Sequence, residues 1–152
     1  MPNSERLGQI LKRKGLITGS KLVKALDEQK LRGLRLGEIL VAQGLLTEKD
    51  LVFALSEQSK IPVINFSRAP VSAQALALVH RQIALDFMVM PVTFVKSLQG
   101  PVLVVAMESP PAAAFLQKLT RLTGHPIKPM LASKTQILSA IAEAYRQISQ
   151  TH

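Results

Sequence analysis

Apolar residues recur at helical spacing through residues 6–58, and the same spacing is written twice. Leu7, Ile10 and Leu11 fall on one helical face, and Leu22, Ala25 and Leu26 on another. The two sets return 29 residues later as Leu36, Ile39 and Leu40, then Leu51, Ala54 and Leu55. Gly15 and Gly44 stand where the first helix of each unit must end, and glycine is free to take the left-handed conformation there. Thr18 and Thr47 are placed to cap the helix that follows, and Thr47-Glu48-Lys49-Asp50 sets a carboxylate at the third helical position. The pattern predicts two helix–turn–helix units, with Gly33 breaking the second helix in the connector Lys30-Leu31-Arg32-Gly33-Leu34. Neither unit can cover its apolar face alone, so each is expected to pack on the other.

After Gln58 the rhythm changes. Ile61-Pro62-Val63-Ile64-Asn65-Phe66 reads as a short extended connector. Pro70 is expected to open a helix through Ala73–Val79, with His80–Phe87 continuing or following it. Met90–Val95 and Pro101–Met107 flank Gln99-Gly100 and predict a strand hairpin. Pro110-Pro111 start a helix to about Leu122, which Thr123-Gly124-His125-Pro126 ends, and Ile127–Leu131 is the third strand. Ser133 caps a last helix through about Gln147, with Ile137, Leu138, Ile141 and Ala142 inward. The expected class is α+β: a helical lobe at residues 1–60, then a small α/β lobe at 61–152 in the order α-β-β-α-β-α.

Composition narrows the function. The 152 residues are 47% hydrophobic, enough for a sizeable core, and contain no cysteine. Thiolate catalysis, disulfides and cysteine metal sites are thereby excluded, which fits a reducing cytoplasm. The first ten residues lack the order of a secretory signal, and no apolar run approaches membrane-spanning length, so no membrane insertion is expected. Nineteen Lys+Arg against ten Asp+Glu give a formal charge of +9, which favours anionic partners. The excess is spread out: residues 1–60 hold 11 basic and 7 acidic groups, residues 61–152 hold 8 and 3. Phosphate-loop, H-E-x-x-H and G-x-S-x-G motifs are absent, and His80, His125 and His152 form no ligand spacing. Asp27, Glu28, Asp50 and Glu57 read as helix-face charges, His125 as a surface residue, and no cofactor or catalytic set is expected.

The two units share more than apolar periodicity. Arg6–Gln29 and Arg35–Gln58 agree at 14 of 24 positions, including Arg6/Arg35, Gly8/Gly37 and Gln29/Gln58. Packing explains the leucines more readily than it explains arginine, a poor electrostatic choice at a helix start, in both copies. An arginine fork can donate twice to the O6/N7 edge of guanine or clamp a phosphate. A glycine beside it lets backbone N–H groups approach an oxygen that a Cβ would keep away. Against this stands a plainer reading, in which Gly8 and Gly37 permit tight helix crossing and Arg6 and Arg35 are solvated. Duplicated polar positions suit a ligand that is itself made of two equivalent, anionic halves.

The motif R-L-G-x-x-L-x-x-x-G-[LI]-[LI]-x-x-x-x-L-x-x-x-L-x-x-Q, given twice with a five-residue spacer, resembles the MshE N-terminal domain family. That family stands at the head of type II secretion and type IV pilus assembly ATPases. Ile61–Phe66, Val105-Ala106-Met107-Glu108-Ser109-Pro110 and Pro129–Ser133 extend the resemblance to about residues 5–148. It implies a receptor domain for cyclic-di-GMP, each repeat holding one guanylate half. By the same resemblance Arg6 and Arg35 contact base and phosphate, and Leu7-Gly8 and Leu36-Gly37 meet the ligand through their backbone. Leu22, Leu26, Leu51 and Leu55 line or support the pocket, and Gln29 and Gln58 close each motif. The family often has Asp-Pro after V-A-M-x; here Ser109-Pro110 stands there, preceded by Glu108. Either Glu108 substitutes, Ser109 makes a weaker contact, or water meets that ligand edge.

The implied partners are the cyclic dinucleotide and a secretion or pilus ATPase or another bacterial signalling protein. The alternative reading is an assembly domain of such a machine with weak or no nucleotide binding. A nucleic-acid module is disfavoured, because the repeated face is leucine and glycine and offers no basic recognition helix.

Overall fold

In a computed structural model of the chain, residues 6–33 and 35–150 are described, without the side chains of Arg32 and residues 147–150. Leu34, in the connector, lies outside the described residues. Contacts divide the chain into two units, Met1–Lys60 and Ile61–His152.

The first unit has four described helices, α1 (Leu7–Arg13), α2 (Gly19–Arg32), α3 (Leu36–Ala42) and α4 (Glu48–Ser59). Their ends follow the sequence signals. Gly15 and Gly44 take φ +75° and +73° after the first helix of each repeat, and Gly33 closes α2 at φ 68°. The Thr18 and Thr47 hydroxyls accept from the backbone N–H of Lys21 and Asp50 at 3.3 and 3.1 Å. Ile10, Leu11, Ile17 and Ala25 share one buried core with Ile39, Leu40, Leu46 and Ala54, so the two repeats pack as one body. The pairing crosses over: α2 lies chiefly against α3, and α1 against α4, more than helices of the same repeat lie on each other. Apolar periodicity states which face of a helix is buried, but not which helix covers it.

The second unit is a three-layer sandwich around one sheet. β1 (Val89–Ser97) and β2 (Gly100–Met107) form the antiparallel hairpin, and β3 (Ile127–Leu131) runs parallel to β2. α7 (Ala113–Thr123) makes the crossover between β2 and β3 and ends at the left-handed Gly124. Pro91 has no N–H for the ladder, and the register shifts just after it, so Val92 is an extra residue whose carbonyl accepts from Ser72 at 2.7 Å. Met90, Val92, Val104 and Ala106 pack on one face with Leu76, Val79, Ile137 and Ile141, while Val89, Leu103, Val105 and Met107 pack on the other with Leu119.

Four local expectations change. The helix expected from Pro70 is short, α5 (Ala73–Leu76), because Ser72 caps it and i→i−3 bonds at Leu78 and Val79 tighten its exit. As one of the two expected alternatives, a separate helix follows, α6 (Arg81–Phe87), begun at His80, whose Nδ1 accepts from Gln82 N–H at 3.1 Å. The connector is not merely extended: Ile64 donates to the Leu131 carbonyl and Leu131 to that of Pro62, adding a short parallel bridge at the β3 edge. The last helix, α8 (Lys134–Gln150), turns Ile137, Ile141, Ala144 and Tyr145 inward, while Leu138 and Ala142 are exposed. Spacings of four, three and one define its buried stripe. Its start is a reciprocal cap, with Ser133 Oγ accepting from Gln136 N–H and Gln136 Oε1 from Ser133 N–H. His125 is half-buried with its ring edge-on to Phe94 at 5.0 Å, so it is a packing residue as much as a surface one.

Tyr145 locks α8 to the core, its buried hydroxyl donating to the Val79 carbonyl at 2.7 Å. Burial pushes its pKa up to about 12. Tyr145→Phe is expected to lower stability by about 1–2 kcal/mol, because the carbonyl is left unpaired. The pH dependence has a definite sign. Between pH 10, where tyrosine ionises in the unfolded chain, and about 12, wild-type stability falls because the folded state holds the proton more tightly. Thermal melts at pH 9 and 11 should show the variant losing less stability than wild type across that interval.

Candidate ligand-binding site

Within each repeat the polar positions are set by how the first helix begins. Arg6 (φ −68°, ψ 149°) and Arg35 (φ −71°, ψ 145°) occupy the same extended cap position before α1 and α3. Both side chains are exposed, and neither makes a capping hydrogen bond. The residues that follow, Leu7 and Leu36, are half-buried and lean on the repeat core.

Gly8 and Gly37 are buried, each beneath a leucine of the following helix. A Cβ on Gly8 would meet Leu22 Cδ1 at 2.8 Å, and one on Gly37 would meet Leu51 Cδ1 at 2.5 Å. The missing side chain thus makes room for the leucine of the following helix, so the tight-crossing requirement holds at both positions. Leu22 and Leu51 are half-buried between the two helices of each hairpin. One turn further along, Leu26 is 39% exposed and Leu55 half-buried, which leaves apolar surface in the first copy. Gln29 and Gln58 lie half-buried in the last turns of α2 and α4. Ser109 belongs to the second unit, half-buried in the bend after β2. Because β2 ends at Met107, Glu108 and Ser109 do not alternate as strand neighbours.

Polar contacts that the helix-face reading of the acidic residues missed join the repeats. Glu57 of α4 accepts from Arg13 Nη2 at 2.7 Å and has Lys14 Nζ at 3.5 Å, both at the end of α1. The hydrogen bond from Arg13, reinforced by the charges of Lys14 and Arg13, holds the Glu57 carboxyl below the usual carboxylate range. At the corresponding place in the other direction, Glu28 of α2 accepts from Gln43 at the end of α3. The signal was available: Glu28/Glu57 and Lys14/Gln43 each occupy equivalent slots at the offset of 29. Charge is not duplicated with the fold, since the first turn of α4 carries Glu48 and Asp50 and that of α2 carries no acid.

Among the described residues no group of His, Asp and Glu is arranged to hold a metal. No described helix is long and apolar enough to cross a membrane.

The MshEN domain profile matches residues 59–151. The type IV pilus assembly ATPase PilB of Myxococcus xanthus (strain DK1622) is 36% identical over 144 residues, covering 95% of this chain and 25% of PilB. The chain therefore spans about a quarter of that relative's length. A structure of MshE with cdg is similar at a TM-score of 0.74 and 30% identity, covering 91% of this chain and 98% of MshE as solved. The N-terminal domain of XpsE shares the fold at a TM-score of 0.68 and 18% identity, over 90% of this chain and 92% of that one. The profile match starts after the repeats, but the MshE and PilB similarities are long enough to reach well into them.

Proposed function

Because the chain belongs to the MshEN domain family, we propose that it is a receptor for cyclic-di-GMP in which one ligand is held across both repeats. The domain is a non-catalytic N-terminal binding module, distinct from the ATPase domain. The observation that carries the reading is the similarity to MshE with cdg, an abbreviation of cyclic-di-GMP, together with the equivalent backbone of Arg6 and Arg35. A two-fold, anionic dinucleotide matches two copies of an arginine at a helix start. In this reading residues 1–60 are the ligand lobe, using Arg6, Leu7, Gly8, Leu22, Leu26 and Gln29 and their counterparts Arg35, Leu36, Gly37, Leu51, Leu55 and Gln58. Residues 61–152 are the lobe of secretion-ATPase type, and Ser109 is included among the ligand positions on the family resemblance. The similarity to PilB supports a pilus or secretion ATPase as the regulated partner, and the proposed compartment is the cytoplasm.

Calorimetric titration with cyclic-di-GMP tests this directly, with GTP and cyclic-di-AMP as controls. One dinucleotide per chain is expected; no heat, or equal heats from all three, would leave the assembly-domain reading instead. Ser109→Asp supplies the carboxylate that the family often carries and should tighten binding by about 1 kcal/mol, the worth of one added hydrogen bond. Glu108→Gln is the companion measurement. Weaker binding by E108Q with no gain from S109D would assign the contact to Glu108.

A further inference from the structure

We propose that Glu57 and Glu28 are positioning residues that set the spacing between the two half-sites, an inference that rests on the repeats forming one cyclic-di-GMP site. Each carboxylate stands immediately before a motif-closing glutamine and crosses to the end of the other repeat's first helix. Glu57 thereby ties α4 to α1, and Glu28 ties α2 to α3, along the same two pairings that carry the apolar packing. A core of Leu, Ile and Ala is non-directional and tolerates small slides between helices. A charge-assisted hydrogen bond at 2.7 Å adds direction to that packing and favours one register of α4 on α1. The starts of α1 and α3, which carry Arg6 and Arg35, are one short helix away from the tied ends.

The two ties are chemically unequal. Arg13 and Lys14 close the C-terminal end of α1, where cations are favoured by the helix dipole, and Glu57 makes an ion pair with them. Gln43 offers Glu28 a neutral amide. Added salt therefore screens the charges of the Glu57 tie directly.

A cyclic dinucleotide has its two guanines at a restricted separation, whereas the linear dinucleotide pGpG can adjust to a shifted pair of half-sites. Titrations of both ligands into wild type, E57Q, E57K and R13E/K14Q/E57R, each checked by circular dichroism melts, test the role. E57Q should weaken cyclic-di-GMP about two- to fivefold, the scale of one exposed ion pair, and pGpG less than twofold. E57K, which sets a third cation beside Arg13 and Lys14, should lose more, and the polarity-reversed variant should recover most of it. The gap between wild type and E57Q should narrow at high salt. Equal losses for both ligands, no loss for either, or no recovery on reversing the pair would overturn the positioning role. A wild type that binds neither dinucleotide would instead overturn the site itself, an outcome read before any variant is made.

Discussion

Arg35→Ala is expected to weaken cyclic-di-GMP binding by about 1–3 kcal/mol, the scale for losing a bidentate contact to a guanine edge. The helical circular dichroism signal should not change. Arg6→Ala should act equally, since the two arginines share a cap position and differ by only a few degrees in φ and ψ. Neither side chain caps its helix and both are exposed, so truncation removes no helix cap. The double variant should bind too weakly to titrate, because a ligand that loses both anchors still bears the full entropy of association. Lysine is the discriminating replacement. It keeps the charge but lacks the planar fork. An Arg35→Lys variant with wild-type affinity would leave only general attraction between a basic protein and an anion.

Gly37→Val should act by a different route, through the fold. The new Cβ would stand 2.5 Å from Leu51 Cδ1 and 3.3 Å from its Cγ, so the Leu51 side chain must shift and α3 is pressed away from α4. Overpacking of this kind costs about 1–3 kcal/mol. Gly8→Val should be milder, with Leu22 Cδ1 at 2.8 Å and Cγ at 3.5 Å. Binding should fall in step with stability, because Leu22 and Leu51 belong to the proposed pocket. Melting curves beside each titration check this. Lost binding with an unchanged melt would return the glycines to a direct role at the ligand.

Much of the helical lobe was legible because its signals are local. Thr18, Thr47, Gly15 and Gly44 each act within one turn of the chain, and each does in the structure what its type predicts. The hairpin at Gln99-Gly100 and the strand at Ile127–Leu131 were legible for the same reason. What escaped was long-range. Ile64 pairs with Leu131 across 67 positions, and nothing near Ile64 announces it. The inward face of α8 was misplaced by one step because Leu138 is apolar but exposed, whereas Tyr145 is buried in the core with its hydroxyl on the distant Val79 carbonyl. For the candidate site, duplication picked out the paired positions, and the family resemblance added Ser109. Sequence named two reasons for Gly8 and Gly37 without choosing between them, since it does not tell which way a missing Cβ would have pointed.

The crossed pairing of the helices has a consequence for what a single repeat is. With α2 lying on α3 and α1 on α4, the helices of each copy pack more on the other copy than on each other. A detached copy would find that covering only in a second molecule of itself, joined by a self-complementary interface of the isologous kind. The chain is in this sense a homodimer written in one polypeptide, with a five-residue connector replacing concentration as the force that brings the partners together. Once the halves are covalently joined they are also free to diverge, as the acidic start of α4 and the acid-free start of α2 already have.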